Sequence, residues 1–191
     1  MASDFIGSEL WRKMVSGERY CSAAPEILAE LNRVHDLLWE YNQMRPSALA
    51  LREAFLKALL GKTGERLLIE QPFFCDYGSN FEVGEDFYAN YHLTVLDVAP
   101  VKVGRNAFFG PNVGLYTACH PTDAEERARH IEWARPITIG DDVWLGGDVT
   151  VCPGVTIGSN VVIGAGSVVV KDIEADSVAV GNPARVIRKL R

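Results

Sequence analysis

The chain has 191 residues, 48% of them hydrophobic, which is enough for the core of one ordinary domain with a small appendage. Its formal net charge of −6 disfavours nucleic acid or an anionic membrane surface as a partner, because phosphate binding needs a concentrated basic field. The four cysteines are scattered without a C-x-x-C pair, so neither a zinc ribbon nor a disulfide framework is indicated.

The chain ends give a first expectation about location. The opening residues, MASDFIGSELWRK, do not combine a charged start with an apolar stretch, and no segment approaches the roughly 20 apolar residues of a membrane span. We therefore expect a cytoplasmic protein that binds neither membrane nor nucleic acid. The basic tail at 185–191 could hold a phosphorylated small molecule or be a solvated chain end.

Residues 1–61 are predicted to form a helical cap. The stretch APEILAELNRVHDLLWEYNQM spaces its apolar residues by three and four, which is the period of one buried helical face. PSALALREAFLKALLG follows, and we expect Ser47 to cap this second helix and Gly61 to end it.

After Gly61 a six-residue repeat replaces the helical period. From Ile139 the chain reads IGDDVW, LGGDVT, VCPGVT, IGSNVV, IGAGSV and VVKDIE. One aliphatic anchor with nearby Gly, Asn or Asp predicts a short strand and a tight corner, and three such units make an 18-residue coil of a β-solenoid. The same frame starts upstream at Val83 and slips by two residues at Val101. A β-sandwich of short strands would not keep this phase over six consecutive units.

The frame ends at His120 and returns at Ile137, leaving residues 121–136 as an extruded loop. A regular prism has no concavity, so a loop thrown out from one corner is where a binding site forms most easily. His120 stands at the root of this loop. By chemistry alone it could be a general base, a metal ligand or a structural histidine.

Several segments carry a family resemblance, namely SGERY, CDYGSN, FYANYHLTVLD, HPTDAEER, RPITIGDDVWLGG, PGVTIGSNVVIGAGSVV and GNPARVIR. In order and spacing they are similar to the maltose and galactoside O-acetyltransferases among the hexapeptide-repeat acyltransferases, and most similar to the maltose type. The resemblance implies a mainly β fold, a left-handed parallel β-helix with an N-terminal α-helical cap. Residues 62–191 would be the acyltransferase domain, with the loop at 121–136 and a C-terminal cofactor-binding tail.

The same resemblance implies a homotrimer with active sites between neighbouring subunits, and acetyl-CoA as co-substrate with no metal required. His120 would be the catalytic base that takes a proton from the acceptor hydroxyl as its oxygen attacks the thioester. Glu125 would orient the imidazole, unless it is only a surface charge. Asn90 would contact the reacting groups, unless it is only a corner residue of a coil.

Carboxylates and amides can pair with the hydroxyl groups of an acceptor sugar, and aromatic rings can pack against it, so the candidates are Asp76, Tyr88, Asp97 and Trp133. Of these, Asp76 and Tyr88 match the maltose-type pattern, whereas Trp133 is a loop aromatic that could equally pack structurally. Small residues, one tryptophan and cations suit the extended arm and phosphates of acetyl-CoA, and the candidates are Trp144, Gly147, Ala165, Lys171, Arg185 and Arg188. The backbone N–H of Gly147 is the candidate donor to the thioester oxyanion.

The chain departs from the family pattern at four positions. Ala24 replaces an aspartate, Val98 stands where the galactoside branch has an aspartate, His92 replaces an asparagine, and Val170 replaces a threonine. None of these changes touches the proposed base. We therefore expect acetyl transfer to an acceptor that need not be maltose or a galactoside.

The sequence predicts an acetyl-CoA-dependent O-acetyltransferase of a sugar or similar small acceptor, by direct transfer in a ternary complex. Cys119 adjoins His120, but neighbours on a strand point to opposite faces, so a covalent route is disfavoured. Three alternatives stay open. The acceptor could be an amine, the solenoid could be a zinc hydratase using His92, His120 and His130, or it could be a non-catalytic scaffold.

Overall fold

A computed structural model describes residues 3–190. Its helices are α1 (Glu9–Val15), α2 (Pro25–Gln43), α3 (Leu49–Leu59) and α4 (Ala124–Ala128). Its strands up to the loop are β1 (Tyr20–Cys21), β2 (Leu67–Ile69), β3 (Phe73–Cys75), β4 (Phe81–Val83), β5 (Phe87–Ala89), β6 (Leu93–Leu96), β7 (Val101–Val103), β8 (Phe108–Phe109), β9 (Gly114–Tyr116) and β10 (Ala118–Cys119). The later strands are β11 (Ile131–Ala134), β12 (Ile137–Ile139), β13 (Trp144–Leu145), β14 (Thr150–Val151), β15 (Thr156–Ile157), β16 (Val161–Ile163), β17 (Val168–Val169), β18 (Ser177–Val180) and β19 (Arg185–Lys189).

The solenoid strands form three parallel sheets, one for each face of a prism. Face 1 holds β4, β7, β12 and β15, and face 3 holds β3, β6, β9, β14 and β17. Face 2 holds β2, β5, β8, β13, β16 and β18, and β19 closes it in the antiparallel direction. The predicted anchors are all buried: Ile139, Leu145, Val151, Ile157, Ile163 and Val169. The predicted hexapeptide β-solenoid is confirmed.

Strand register explains both irregularities of the repeat. Trp144 pairs with Val162, 18 positions later, as three six-residue units require. Tyr88 pairs with Phe108, 20 positions later, so this coil carries two extra residues, which correspond to the slip seen near Val101. Phe108 pairs with Trp144 over 36 positions because that coil contains the extruded loop.

The helices cover the first coils of the solenoid. Tyr41 of α2 donates its hydroxyl to the carbonyl of Ile69 at 2.6 Å, and Arg52 of α3 donates to the same carbonyl at 2.8 Å. Arg52 is 1% exposed and also bonds Glu70, so its buried charge is paired. The Ser47 cap prediction is wrong, because α3 follows Ala48 and has no side-chain cap.

Tight corners depend on residues that tolerate a left-handed backbone. Asn112 and Asp148 have positive φ at the corner between faces 2 and 3, and Asn112 donates to Asp148 at 3.0 Å. His92 occupies the same column with φ 63°. Asparagine adopts this conformation more easily than most residues, which is a physical reason to expect asparagine in place of histidine in this column.

The extruded loop is tied down by a small sheet of its own. β11 pairs antiparallel with β10 on one side and with β1, from the N-terminal segment, on the other. The loop therefore rests between the solenoid and the helical segment instead of standing free. None of the helices within residues 3–190 has both the length and the apolar character to cross a membrane.

Candidate active site

A cavity of about 290 Å³ lies where the N-terminal segment, the loop and one corner of the solenoid meet. Its polar lining comes from Tyr20, Ser22, Asp76, Tyr77, His120 and Glu132, and its apolar lining from Ile27, Leu31, Leu96, Val98 and Ala118. Two residues predicted from the sequence, His120 and Asp76, are therefore brought together, while Tyr20 and Glu132 were not foreseen.

The small sheet aligns three of these side chains in one row. Tyr20 pairs with Glu132, and on the other side of β11 Cys119 pairs with Trp133, so the next step of the ladder places His120 beside Glu132. Tyr20 donates its hydroxyl to Glu132 Oε1. His120 Nε2 lies 3.7 Å from Glu132 Oε2.

Glu132, and not Glu125, is the carboxylate next to His120. Glu125 lies on the exposed helix α4, which Asp123 caps by accepting the N–H of Glu126 at 2.8 Å. The expectation for Glu125 is corrected on this geometry. A sequence signal for Glu132 existed: in the strand HIEWA it alternates with Ile131 and Trp133, so it points to the opposite face from them.

Asp97 is entirely buried and does not line the cavity. Its carboxylate accepts the backbone N–H groups of Asp76 at 3.1 Å, Tyr77 at 2.9 Å and Asn80 at 3.3 Å. Its expected contact with the acceptor is therefore corrected: Asp97 shapes the turn that presents Asp76. Burial raises the pKa of Asp97 to about 6, although these amide donors oppose the rise.

Asp76 is the carboxyl that this turn directs to the cavity. Burial, together with the nearby carboxylates of Asp97 and Glu132, raises the pKa of Asp76 to about 7. The cavity therefore presents groups that accept hydrogen bonds, at Asp76, Glu132 and His120. Such a lining suits a ligand that supplies hydroxyl or ammonium donors.

Two acceptor candidates lie elsewhere. Trp133 packs beneath Arg19, whose guanidinium carbon is 5.1 Å from the ring centroid, so that side of the ring is occupied. Tyr88 points outward from face 2 and tilts against Phe108, with ring centroids 6.1 Å apart. Both residues are outside the lining of the His120 cavity.

A second group of candidates lies at the corner between faces 2 and 3. Asn90 follows β5 there, and its Oδ1 accepts the N–H of Tyr91 at 2.7 Å. Gly147 and Ala165 lie at the same corner in later coils, one position further along the chain than the column of Asn90, and in the hydrogen-bond pattern of residues 3–190 their N–H groups have no acceptor. Exposed backbone donors in a column of small residues can receive an extended ligand.

Of the remaining cofactor candidates, Trp144, Arg185 and Arg188 lie on face 2, and Lys171 lies at the corner between faces 3 and 1. Trp144 is 57% exposed and stands in the outward row of face 2 between Phe108 and Val162. Arg185 and Arg188 are exposed on β19, which closes the same face. Lys171 is exposed after β17, at the corner of faces 3 and 1 that also carries His120.

One copy of the chain thus carries two separate groups of candidates on two edges of the prism. His120, Asp76 and Lys171 lie at the edge between faces 3 and 1, whereas Asn90, Gly147 and Ala165 lie at the edge between faces 2 and 3. Within residues 3–190, no three His, Cys, Asp or Glu side chains converge into a metal site.

Comparison with known proteins identifies the family. Residues 13–64 match the maltose acetyltransferase hexapeptide capping motif, and residues 136–171 match the bacterial transferase hexapeptide repeat. The chain is 43% identical to the galactoside O-acetyltransferase of Escherichia coli, over 89% of this chain and 82% of the relative.

Two solved structures are similar over almost their full length. A maltose O-acetyltransferase from Clostridium difficile has a TM-score of 0.93 and 46% identity, covering 95% of this chain and 97% of the other. A hexapeptide-repeat acetyltransferase from Vibrio cholerae complexed with acetyl-CoA has a TM-score of 0.88 and 37% identity, covering 96% and 99%. The protein belongs to the hexapeptide-repeat acetyltransferases of the maltose and galactoside O-acetyltransferase family.

Proposed function

We propose that this acetyltransferase moves the acetyl group of acetyl-CoA to a hydroxyl of a sugar or similar small acceptor, with His120 as the catalytic base. One observation carries most of this proposal: His120 lies at a cavity that also holds the carboxyl groups of Asp76 and Glu132, which can accept hydrogen bonds from a donor-rich ligand. The names of the Escherichia coli and Clostridium difficile relatives, which acetylate sugar oxygens, support the same acceptor class.

The transfer would proceed in one ternary complex. His120 takes the proton of the acceptor hydroxyl while the oxygen attacks the thioester carbonyl carbon. The C–S bond breaks as the new C–O bond is completed, and the imidazolium returns the proton to the leaving thiolate. Glu132 faces one ring nitrogen, which favours a proton there and leaves the lone pair on the other nitrogen for the acceptor.

Asp76 would hold a second hydroxyl of the acceptor. It shares the cavity with His120 and its turn is held by Asp97, so its position is defined by backbone bonds. Val98, Ile27 and Leu31 would cover the hydrocarbon side of the ligand. The N-terminal segment thus contributes a wall of the site, and we propose that residues 1–61 act with the catalytic domain at 62–191 and not as a separate module.

Acetyl-CoA fits the second edge of the prism. The N–H groups of Gly147 and Ala165 could bind its extended arm, and the N–H of Gly147 would stabilise the oxyanion. Trp144 would cover the thioester end, while Arg185 and Arg188 would face the phosphates. Acetyl-CoA supplies the reactive thioester when bound. The residues of this chain would orient it, pair with its phosphates and provide the base.

A complete site then needs two copies of the chain. The His120 edge of one copy would meet the Asn90 and Gly147 edge of the next, so that acceptor and acetyl-CoA come together between subunits. A threefold arrangement closes such head-to-tail contacts, and we therefore propose a homotrimer. The outward row of face 2 supports this, since it presents the aromatic rings of Tyr88, Phe108 and Trp144, whereas face 1 presents Lys102 and Thr138.

A covalent acetyl-cysteine is disfavoured. Cys119 pairs with Trp133 on β10 and β11, one residue away from the row of His120, so its side chain points to the other face. Burial also raises the pKa of the Cys119 thiol, which lowers the fraction of reactive thiolate.

The test is release of free thiol from acetyl-CoA with glucosides, galactosides, maltose, amino sugars and simple alcohols, for wild type and His120→Ala. We expect acceptor-dependent release that falls by about 10²-fold or more in the variant. Thiol release that is independent of His120, or acetyl-CoA binding without any release, would contradict the proposal.

An amine acceptor is the second candidate. Asp76 and Glu132 would favour an ammonium group in the cavity, and His120 could take its proton before attack. Amino sugars that outperform the matched hydroxyl sugars in the same assay would favour N-acetylation.

A further inference from the structure

Residues 19–22 of the N-terminal segment hold the loop from two sides. Tyr20 pairs with Glu132 on the cavity side, and the N–H of Ser22 donates to the carbonyl of His130 at 2.9 Å. Arg19, which directly precedes β1, covers Trp133 on the side of the loop away from the cavity and forms an ion pair with Glu126. Adjacent side chains of this segment therefore contact different surfaces of the same loop.

Tyr20 is a buried residue whose hydroxyl has one partner. It is 5% exposed, in a cluster with Met14, Ile27, Tyr77 and Val98, and its hydroxyl donates to Glu132. Burial, together with the hydrogen bond and charge of Glu132, raises the pKa of Tyr20. The phenol therefore stays protonated at ordinary pH and acts towards Glu132 as a donor.

Glu132 needs that donor. Its side chain is 11% exposed, and a buried carboxylate is costly unless its oxygens are paired. With Oε1 held by Tyr20, rotation of the carboxylate is restricted, and Oε2 is left facing His120 Nε2. Removing the phenol would free the carboxylate to turn away from His120.

We propose that Tyr20 is a positioning residue that acts on the base His120 through Glu132, so that the N-terminal segment orients the imidazole of the extruded loop. This inference rests on the proposed transfer reaction. It adds a residue 100 positions before His120 in the chain to the machinery of the site. Tyr20 lines the cavity, but its hydroxyl is engaged by Glu132 and acts through that carboxylate in this scheme.

The test compares Tyr20→Phe, Glu132→Gln and the double variant in the thiol-release assay, using the acceptor most active with wild type. Phenylalanine keeps the ring, so we expect the fold to persist, which thermal unfolding checks. We expect Tyr20→Phe to lower kcat by about tenfold, with KM for both substrates within twofold of wild type. The double variant should match Glu132→Gln, since Tyr20 acts only through that carboxylate.

Arg19→Gln is the matched control, because it loosens the same strand pair from its other face. Its kcat should stay within twofold of wild type. Equal losses in Arg19→Gln and Tyr20→Phe would mean general anchoring of the loop and would overturn the inference. So would losses that multiply in the double variant, or Tyr20→Phe with wild-type kcat.

A His120→Ala protein separates the two claims. If its activity equals wild type, the proposed function fails, and the inference falls with it. If His120→Ala is inactive while Tyr20→Phe is normal, only the inference fails. If Tyr20→Phe does not fold, the double-mutant cycle is made with Glu132→Gln and His120→Ala instead. In this scheme Glu132 acts only by orienting His120, so a double variant less active than His120→Ala alone would contradict the inference.

Discussion

Asp97 accepts the backbone N–H of Tyr77 at 2.9 Å from a position with no exposure to solvent. The same carboxylate binds the N–H groups of Asp76 and Asn80, so one buried charge organises the turn from 76 to 80. Asn80 returns a hydrogen bond from its side chain to the carbonyl of Asp97 at 2.8 Å. Asp76 is presented to the cavity because of this arrangement.

Replacing Asp97 should therefore affect folding before binding. Asp97→Ala leaves the buried N–H groups of Tyr77 and Asn80 without an acceptor, while that of Asp76 keeps the carbonyl of Val95 at 3.3 Å, and we expect the free energy of unfolding to fall by about 3 kcal/mol or more. Chemical denaturation measures this. A variant with normal stability and a raised KM for the acceptor would instead indicate a direct contact with the ligand.

Asp76 should make stability depend on pH. Its folded pKa of about 7 exceeds the ordinary value near 3.9, so the folded state retains a proton that the unfolded chain loses. The stability of wild type therefore decreases as pH rises from about 4 to 7. Asp76→Asn lacks this loss and should melt roughly 5 °C higher than wild type at pH 8, with little difference at pH 4. Thermal unfolding at both values checks the sign, and equal differences at pH 4 and 8 would contradict it.

The same Asp76→Asn variant should lose acceptor affinity. An amide cannot replace both acceptor oxygens of the carboxylate, so we expect KM for the acceptor to rise about tenfold, with KM for acetyl-CoA unchanged. If Asp76→Asn is more stable than wild type but binds the acceptor more weakly, the buried carboxyl is kept for binding at a cost in stability.

Two glutamates of the loop can be distinguished by activity. Glu132 lies 3.7 Å from the imidazole, whereas Glu125 is exposed on α4. We expect Glu132→Gln to reduce kcat by about 10- to 100-fold and Glu125→Gln by less than twofold. Steady-state kinetics with the best acceptor decides between them, and the reverse order would restore Glu125 as the orienting carboxylate.

Neighbouring glycines at the edge proposed to bind acetyl-CoA should respond differently to substitution. A Cβ on Gly147 would lie 3.3 Å from the Pro111 ring, so Gly147→Ala should fold, but its methyl group would occupy the path of the extended arm. We expect KM for acetyl-CoA to rise about tenfold, with KM for the acceptor unchanged. Gly146→Ala would place its Cβ 2.6 Å from the backbone nitrogen of Ala165, and it should lower the melting temperature instead.

His92 offers a test of the corner geometry. Its φ of 63° suits asparagine better than histidine, so His92→Asn should stabilise the protein by roughly 0.5 kcal/mol. His92→Val should destabilise it, because a β-branched residue resists this conformation. Denaturation midpoints of the two variants give the comparison, and equal midpoints would contradict the argument.

The six-residue phase determined the solenoid from the sequence alone. Each anchor is buried by its immediate neighbours in the coils above and below, and Ile139, Leu145 and Val151 show this local rule directly. The break at His120 likewise marked the loop. Local periodicity is sufficient here because each coil repeats the packing of the previous one.

The partners within the site were decided only by tertiary structure. Tyr20, Glu132 and His120 form a row because two distant segments add strands to one small sheet, and antiparallel register cannot be obtained from either segment separately. The choice of Glu132 over Glu125 follows from that register. Asp97 resembled a ligand-binding carboxylate by composition, yet its surroundings bury it against three amides, because burial depends on how the whole chain packs.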